Sequence, residues 1–212
     1  MKIENIETFN WVGAMHGMRN PLESWKKSDT ELMSLTNKPI LGPNDLDLAK
    51  RLCAAGPEHR KWMRQVFVSM DITAPLFWWK EMDQYRIGCT TNSTSTMHKL
   101  ASTPITIDCF ETDDMVEDLT FNNITPINVV WEDLLNACEA LRKCYNDTKD
   151  PRYWKELIRL LPESWLQTRT WTGNYEVLHT IYHQRKNHKL TEWKTFCNII
   201  ENELPYAKEF II

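Results

Sequence analysis

The segment Gln65-Val-Phe-Val-Ser-Met-Asp-Ile72 alternates apolar and mostly polar residues, and it decides the class of fold. Its apolar residues share one side of an extended chain: Val66, Val68, Met70 and Ile72. This pattern predicts a strand with one buried face. Ala74-Pro75 follows at once and predicts a helix with proline near its first turn, running to about Tyr85.

The rest of the pattern is largely helical. Apolar residues recur at helical spacing in five further segments, at about 43–55, 127–145, 150–161, 174–186 and 190–204. The hydroxyl-rich stretch from Cys89 to Thr96 has no apolar period and predicts an ordered loop. No repeat, low-complexity tract or flexible linker divides the chain. We therefore predict an α+β fold, helix-rich with few strands, in a single domain over residues 1–212.

Composition excludes several classes of protein. The 212 residues are 42% hydrophobic and 25% charged, as in average soluble domains, and no apolar run approaches the roughly 20 residues of a membrane span. A formal charge of −4 argues against a nucleic-acid surface. Six scattered cysteines and no secretion signal predict reduced thiols in a cytoplasmic protein. We expect neither a membrane nor a nucleic-acid partner.

Tryptophan is unusually frequent, with ten residues beside only six glycines. Its large ring contributes much apolar surface, and its flat face also stacks well on planar ligands. The excess predicts a broad aromatic core, with one or two rings as candidates to face a planar ligand.

Two patterns in the sequence bear on metal binding and on nucleophilic catalysis. Glu176, His179 and His183 have the spacing of one helix face, which suits a metal site, but no fourth ligand is marked. A polar helix face is the simpler interpretation, and no metal is predicted. Cys89 among hydroxyls suits a nucleophile, but no base stands near it in the sequence.

Two further features suit an anionic ligand. The hydroxyls of residues 90–96, with Arg86 before them, can surround a phosphate or a pyrimidine edge, although a surface loop explains them equally well. Asn174 and Arg185 are eleven residues apart, about three helical turns, which predicts that they point the same way. The stem of Arg185 is expected to pack while its head reaches a pocket.

The order of these features resembles a known family. His59, the predicted strand, Ala74-Pro75 and Arg86 occur in sequence, and Leu161-Pro162 is followed by Asn174 and Arg185. Flavin-dependent thymidylate synthases have this order and spacing, around a hallmark that reads R-H-R-x-x-S-x-N-E-x-S-x-R. The resemblance spans about residues 56–205 and implies a small antiparallel sheet within the α+β fold.

The hallmark itself is altered in this sequence. Gln84 and Tyr85 occupy its first two positions, Arg86 keeps the third, and Cys89 stands at the first serine. Glu176 stands where the family usually has arginine. Candidates to replace the lost positive charges are Arg19, Lys61, Arg64 and Lys99, of which Arg64 stands where the family tends to have an acid.

The resemblance implies an activity and a set of site residues. It implies a homotetramer with active sites between subunits, which methylates dUMP at C5 to dTMP using FAD, NADPH and methylenetetrahydrofolate. The implied cofactor-binding residues are His59, Tyr85, Arg86, Asn92 and Asn174. The implied substrate-binding residues are Arg86, Thr94 or Ser95, and Arg185, with Arg185 also catalytic at the uracil carbonyls.

Two alternatives remain open at this point. One is a nucleotide-binding protein, or another enzyme that modifies a pyrimidine at C5, which kept the fold with an altered flavin site. The other is a structural subunit without a ligand.

Overall fold

The computed structural model describes residues 1–116, 119–122 and 125–212. The helices in this part of the chain are α1 Trp11–Met18, α2 Pro43–Ala54, α3 Leu76–Met82, α4 Thr96–Lys99, α5 Ile127–Thr148, α6 Pro151–Leu160, α7 Tyr175–Arg185, α8 Thr191–Glu203 and α9 Ala207–Phe210. The strands are β1 Lys2–Phe9, β2 Glu31–Leu32, β3 Pro39–Ile40, β4 Phe67–Pro75, β5 Thr90–Ser93, β6 Thr120–Phe121, β7 Thr125–Pro126 and β8 Leu166–Asn174. Short 3-10 helices join several of them, including Arg60–Gln65.

The main sheet has four strands in the order β1-β4-β8-β5. Side chains of β4 and β8 meet in antiparallel register, with Ser69 opposite Thr172 and Asp71 opposite Thr170. Two small antiparallel hairpins, β2-β3 and β6-β7, lie outside this sheet. The predicted α+β fold, helix-rich with a small antiparallel sheet, is confirmed.

The strand predicted from alternation is confirmed as β4. Val66, just before it, and Val68, Met70 and Ile72 within it are each no more than 1% exposed, whereas Phe67 on the other face is 42% exposed. The predicted helix start at Ala74-Pro75 was wrong, because both residues are buried in the continuing strand and α3 begins only at Leu76. Its predicted end near Tyr85 lies three residues beyond Met82, where α3 stops.

The hydroxyl-rich stretch is not the loop that was predicted. Residues Thr90–Ser93 form strand β5, and α4 starts at Thr96 after the Ser95 hydroxyl accepts a hydrogen bond from the His98 N–H. Threonine favours strands because its β-branched side chain suits an extended backbone. All four side chains of β5 are exposed, so no buried apolar residue marks the strand in the sequence.

Several elements were absent from the sequence prediction, among them strand β8 and all the elements before α2. Strand β8 has threonine at every second position, Thr168, Thr170 and Thr172, and this period of two was its available signal. The region before α2, for which no structure was predicted, forms β1, α1 and the β2-β3 hairpin.

The chain divides into two compact units. Unit 1 comprises Met1–Ile72, Met82–Asn92 and Arg169–Ile212, and unit 2 comprises Thr73–Glu81 and Ser93–Thr168. The single domain therefore stays a prediction. None of the described helices is both long enough and apolar enough to cross a membrane.

Unit 1 has the aromatic core that the tryptophan count predicted. Trp11 packs edge to face on Tyr175 with ring centres 5.0 Å apart, and Trp62 packs on Phe210 at 4.9 Å. Four tryptophans of this unit are no more than 3% exposed: Trp11, Trp62, Trp171 and Trp193. The 3-10 helix Arg60–Gln65 packs against both α1 and α7. These contacts hold the start of α7 in place.

Unit 1 also contains a buried ion pair. Arg19 Nε lies 2.6 Å from Asp45 Oδ1, with the two side chains 3% and 0% exposed. The other oxygen of Asp45 accepts hydrogen bonds from the Ser28 hydroxyl, the Asp29 N–H and the Thr30 hydroxyl. Burial alone would raise the pKa of Asp45, but the hydrogen bonds from Thr30, Arg19, Asp29 and Ser28 outweigh it and lower the pKa. The network ties α2 to the segment before it.

Unit 2 has its own core beside α5 and α6, which pack on each other. The buried residues of this cluster are Leu100, Ile105, Phe110, Cys138 and Leu157. Trp78 and Trp79 are also fully buried in this unit, with ring centres 4.9 Å apart, and Trp79 Nε1 donates to the Gln167 carbonyl.

Candidate functional site

The largest described pocket of unit 1 lies at the start of α7 and has a volume of about 760 Å³. It is lined by Arg64 and Phe67, by residues 84–88, and by Asn174, Glu176, Val177 and Thr180. We call it the α7 pocket. Its size is in the range of small-molecule and cofactor sites.

The α7 pocket is electropositive. Arg64 has no ion-pair or hydrogen-bond partner within the described residues, and the Nε of Arg86 donates to the Asp83 carbonyl at 3.1 Å. Among the described residues that line the pocket, Glu176 carries the carboxylate, and it is neutralised by Arg60 at 2.9 Å. Two guanidinium charges therefore face the pocket without a balancing carboxylate, which suits an anionic ligand.

Asn174 and Gly88 shape one wall of the pocket. Asn174 caps α7, since its Oδ1 accepts a hydrogen bond from the Val177 N–H at 3.1 Å. Its Nδ2 is left to face Gly88, where an added Cβ would come within 2.9 Å of that nitrogen. Gly88 also has φ of +75°, which favours glycine. A side chain at position 88 would fill part of the cradle that the two residues form.

Tyr85 connects the pocket to Arg185. The Tyr85 hydroxyl accepts a hydrogen bond from Arg185 Nε at 2.9 Å and donates one to Gln184 Oε1 at 2.8 Å. The Arg185 guanidinium lies 4.8 Å from the centre of the Trp193 ring. Arg185 is half-buried, but its guanidinium packs on this ring and does not line the α7 pocket, so the reach of its head into a pocket stays a prediction.

Asn174 and Arg185 do not line the same pocket. Asn174 has an extended backbone and precedes α7, so the argument from three helical turns does not apply to it. Asn174 lines the α7 pocket, whereas Arg185 hydrogen-bonds Tyr85, which lines that pocket.

A smaller pocket of about 290 Å³ adjoins the same residues. Tyr85 and Arg86 line it together with Cys89, Thr90 and Thr91. Burial raises the pKa of the Cys89 thiol to about 11, so the thiol stays protonated at neutral pH. A hydroxyl-lined wall without a reactive thiolate suits binding better than nucleophilic attack.

The remaining predicted residues lie elsewhere. His59 is exposed and lines a pocket of about 320 Å³ with Glu58 and Lys61. Asn92 is exposed on β5. In unit 2, Thr94 and Ser95 line a pocket of about 130 Å³ that also has Lys99 on its wall. The α7 pocket thus brings together Tyr85, Arg86 and Asn174, with Arg185 attached through Tyr85.

The histidine face of α7 is occupied by protein contacts. Arg60 Nη1 donates to His179 Nε2 at 3.3 Å, and the His179 and His183 rings lie 4.4 Å apart. Burial lowers the pKa of His179 to about 4, helped by the positive charges of Arg60 and His183. Among the described residues, no group of three or more potential ligands is placed to hold a metal ion.

Sequence reasoning did not identify five residues of the α7 pocket: Phe67, Ile87, Gly88, Val177 and Thr180. Phe67 and Ile87 are apolar yet 42% and 91% exposed, and Gly88 supplies the close approach to Asn174. Phe67 could have been suspected, because it is a large apolar residue on the otherwise polar side of β4. The exposure of Ile87 had no signal in the sequence.

Comparison with known proteins supports the fold. No protein-family model and no curated protein matches the sequence. The fold is similar to a crystal structure of the flavin-dependent thymidylate synthase ThyX from Helicobacter pylori complexed with FAD and dUMP, with a TM-score of 0.69, 16% identity and coverage of 99% of this chain and 98% of that one. A second Helicobacter pylori ThyX structure with FAD and dUMP has the same TM-score and identity and is covered to 97%. The likeness extends over nearly the whole chain and shows a ThyX-like fold.

Proposed function

We propose that the protein is a flavin-dependent thymidylate synthase, which converts dUMP to dTMP by reductive methylation at C5. Methylenetetrahydrofolate would donate the carbon, reduced FAD the hydride, and NADPH the electrons that reduce the flavin. The observation that carries the proposal is the full-length likeness in fold to structures that hold both FAD and dUMP. An electropositive pocket that contains Tyr85, Arg86 and Asn174 adds to it.

The residues of the α7 pocket fit a flavin nucleotide. Phe67 and Ile87 offer exposed apolar surface for a planar ring, and Arg86 offers a planar cation for a phosphate. Asn174 Nδ2 is a hydrogen-bond donor that faces Gly88. Because glycine has no Cβ, a ligand atom has room beside this donor. FAD, when bound, supplies hydride chemistry that no protein side chain provides.

Arg185 is proposed to act on the uracil ring of dUMP. A guanidinium that donates to the uracil carbonyls would stabilise negative charge as it develops on the ring. Trp193 and Tyr85 already hold this guanidinium, so little reorientation would be needed during the reaction. In unit 2, the hydroxyls of Thr94 and Ser95 are proposed to bind the phosphate of the nucleotide.

His59 and Asn92 would need a neighbouring subunit to take part. Both are exposed, and neither lines the α7 pocket. Their proposed contacts with the flavin are therefore part of the proposed homotetramer, in which each active site is built between subunits.

The test is an absorption spectrum of the purified protein, before and after addition of FAD and then dUMP, followed by an assay of dTMP formation. We expect flavin bands that shift when dUMP is added, and NADPH-dependent dTMP formation. A colourless protein that binds dUMP by calorimetry but never FAD would support the nucleotide-binding alternative instead.

A matched pair of variants tests whether Arg86 contributes. Arg86→Gln removes a charge from the α7 pocket and is expected to weaken FAD or dUMP binding by about tenfold or more. Arg51→Gln removes another exposed charge, which pairs with Asp47 away from the pocket, and the ligand affinity of this variant should stay within about twofold of the wild type. Equal behaviour of the two variants would exclude Arg86 from the site.

A further inference from the structure

We propose that Arg64 is the second anion-binding group of the α7 pocket and that, with Arg86, it receives the diphosphate of a dinucleotide ligand. The inference rests on the proposed function, because FAD is a ligand of this class. It adds a residue that the altered hallmark does not contain. The evidence lies in how the arginines of this chain are paired.

Most arginines of the chain have a carboxylate partner. Seven of the ten form an ion pair: Arg19, Arg51, Arg60, Arg142, Arg152, Arg159 and Arg169. Arg185 packs against Trp193 and hydrogen-bonds Tyr85. Within the described residues, Arg64 and Arg86 have no carboxylate at ion-pair distance, and both line the α7 pocket. Two arginines without a carboxylate partner on the same pocket indicate an anionic ligand.

The geometry of unit 1 brings these two charges to one pocket from different segments. Arg64 lies on the 3-10 helix Arg60–Gln65, which packs against α7, and Arg86 lies in the turn after α3. Glu176, on the same wall, does not cancel them because Arg60 pairs with it at 2.9 Å, the two side chains being 16% and 14% exposed. The pocket therefore keeps two uncompensated guanidinium charges.

A diphosphate offers one phosphate group to each of the two guanidinium groups on this pocket. Each guanidinium presents a planar fork that binds one phosphate group through two hydrogen bonds. Two forks on one pocket can each take one of two linked phosphates, and the apolar Phe67 and Ile87 leave room for a ring beside them. Arg64 is exposed and has no hydrogen bond or ion pair within the described residues, so its substitution should leave the fold intact.

The experiment titrates inorganic pyrophosphate into the full-length protein by calorimetry at low salt. Wild type, Arg64→Gln, Arg86→Gln and the double variant are compared with Arg51→Gln. Arg51 is exposed and carries the same charge, but it pairs with Asp47 and does not line the α7 pocket. We expect each single arginine variant to bind pyrophosphate about tenfold more weakly, and Arg51→Gln to stay within about twofold. Orthophosphate should bind more weakly than pyrophosphate to the wild type.

The outcomes separate this inference from the proposed function. If the wild type binds FAD but Arg64→Gln does not change the affinity for pyrophosphate, the inference is overturned and the proposed function stands. Pyrophosphate binding that depends on Arg64 in a protein that never binds FAD would support the inference and count against the proposed function. Failure of the wild type to bind pyrophosphate would overturn the inference. Thermal melts of every variant by circular dichroism check that each one is folded.

Discussion

The guanidinium carbon of Arg185 lies 4.8 Å from the centre of the Trp193 ring. Its Nε donates to the Tyr85 hydroxyl at 2.9 Å, and the Tyr85 ring is 5.6 Å from the same carbon. Cation–π contacts with two rings and one hydrogen bond hold the charge at the end of α7. Tyr85 in turn lines the α7 pocket, so the position of Arg185 is coupled to the wall of that pocket.

Replacing Arg185 should therefore separate activity from stability. We expect Arg185→Ala to abolish dTMP formation, because the positive charge proposed to act on the uracil ring is lost. The free energy of unfolding should fall by only about 1 kcal/mol, the scale of a cation–π contact. Lys186→Ala removes the next charge along the chain and should keep its turnover. Unchanged turnover in Arg185→Ala, measured beside a thermal melt, would refute the role given to Arg185.

Gly88 offers a test of the pocket wall. Gly88→Ala should weaken ligand binding, because its Cβ would lie 2.9 Å from Asn174 Nδ2 and displace that donor. Gly56→Ala is the matched control: Gly56 also has positive φ, at +112°, but its nearest neighbour would be a flexible Glu58 oxygen at 3.4 Å. Both variants should lose a similar 1 kcal/mol or so of stability from backbone strain. If the affinity for FAD decreases by the same factor in both variants, Gly88 does not contact the ligand.

Elements with a buried apolar face were predicted from the sequence, because their apolar residues recur with a regular period. Elements without such a face were missed. Strand β4 was predicted because its buried side is a run of apolar residues. Strand β8 was missed because its buried positions include Gln167 and Gly173, which do not look like core. Strand β5 was taken for a loop because none of its side chains is buried. Periodicity detects only the strands that present an apolar face.

The candidate site, too, could be predicted only in part from the sequence. Tyr85, Arg86 and Asn174 were implied by the resemblance to a known family, and all three line the α7 pocket. Arg64 was named only as one of four candidates to replace the lost positive charges. That it has no carboxylate partner could not be foreseen, because this depends on the pairing of Glu176 with Arg60. Ion pairs of this kind join residues far apart in the chain, so no local pattern in a single sequence predicts them.

The buried pair of Arg19 and Asp45 should dominate the stability of the N-terminal region. Asp45→Asn leaves the Arg19 guanidinium buried without its counter-charge, and we expect a loss of about 3 kcal/mol in the free energy of unfolding. Asp47→Asn, two residues on, breaks a pair with Arg51 whose side chains are both 67% exposed, and should cost about 0.5 kcal/mol or less. Urea denaturation of both variants measures the difference. Equal losses would mean that the buried pair adds nothing beyond a surface one.

His179 should make stability depend on pH in the acidic range. Its pKa is lowered from 6.5 to about 4, first by burial and then by the positive charges of Arg60 and His183, while the carboxylate of Glu176 acts in the opposite direction. Protonation would also remove the Nε2 lone pair that accepts from Arg60. Between pH 6.5 and 4 the unfolded chain therefore binds a proton that the folded chain does not.

The free energy of unfolding is thus expected to fall as the pH decreases from about 6.5 to about 4, and His179→Gln should remove part of this slope. The measurement is the midpoint of urea denaturation at a series of pH values from 7 to 4 for the wild type and the variant. His98→Gln is the control, because His98 is exposed and lies in unit 2, and it should keep the wild-type slope. A His179→Gln profile that runs parallel to that of the wild type would show that this histidine is not the group whose protonation weakens the fold.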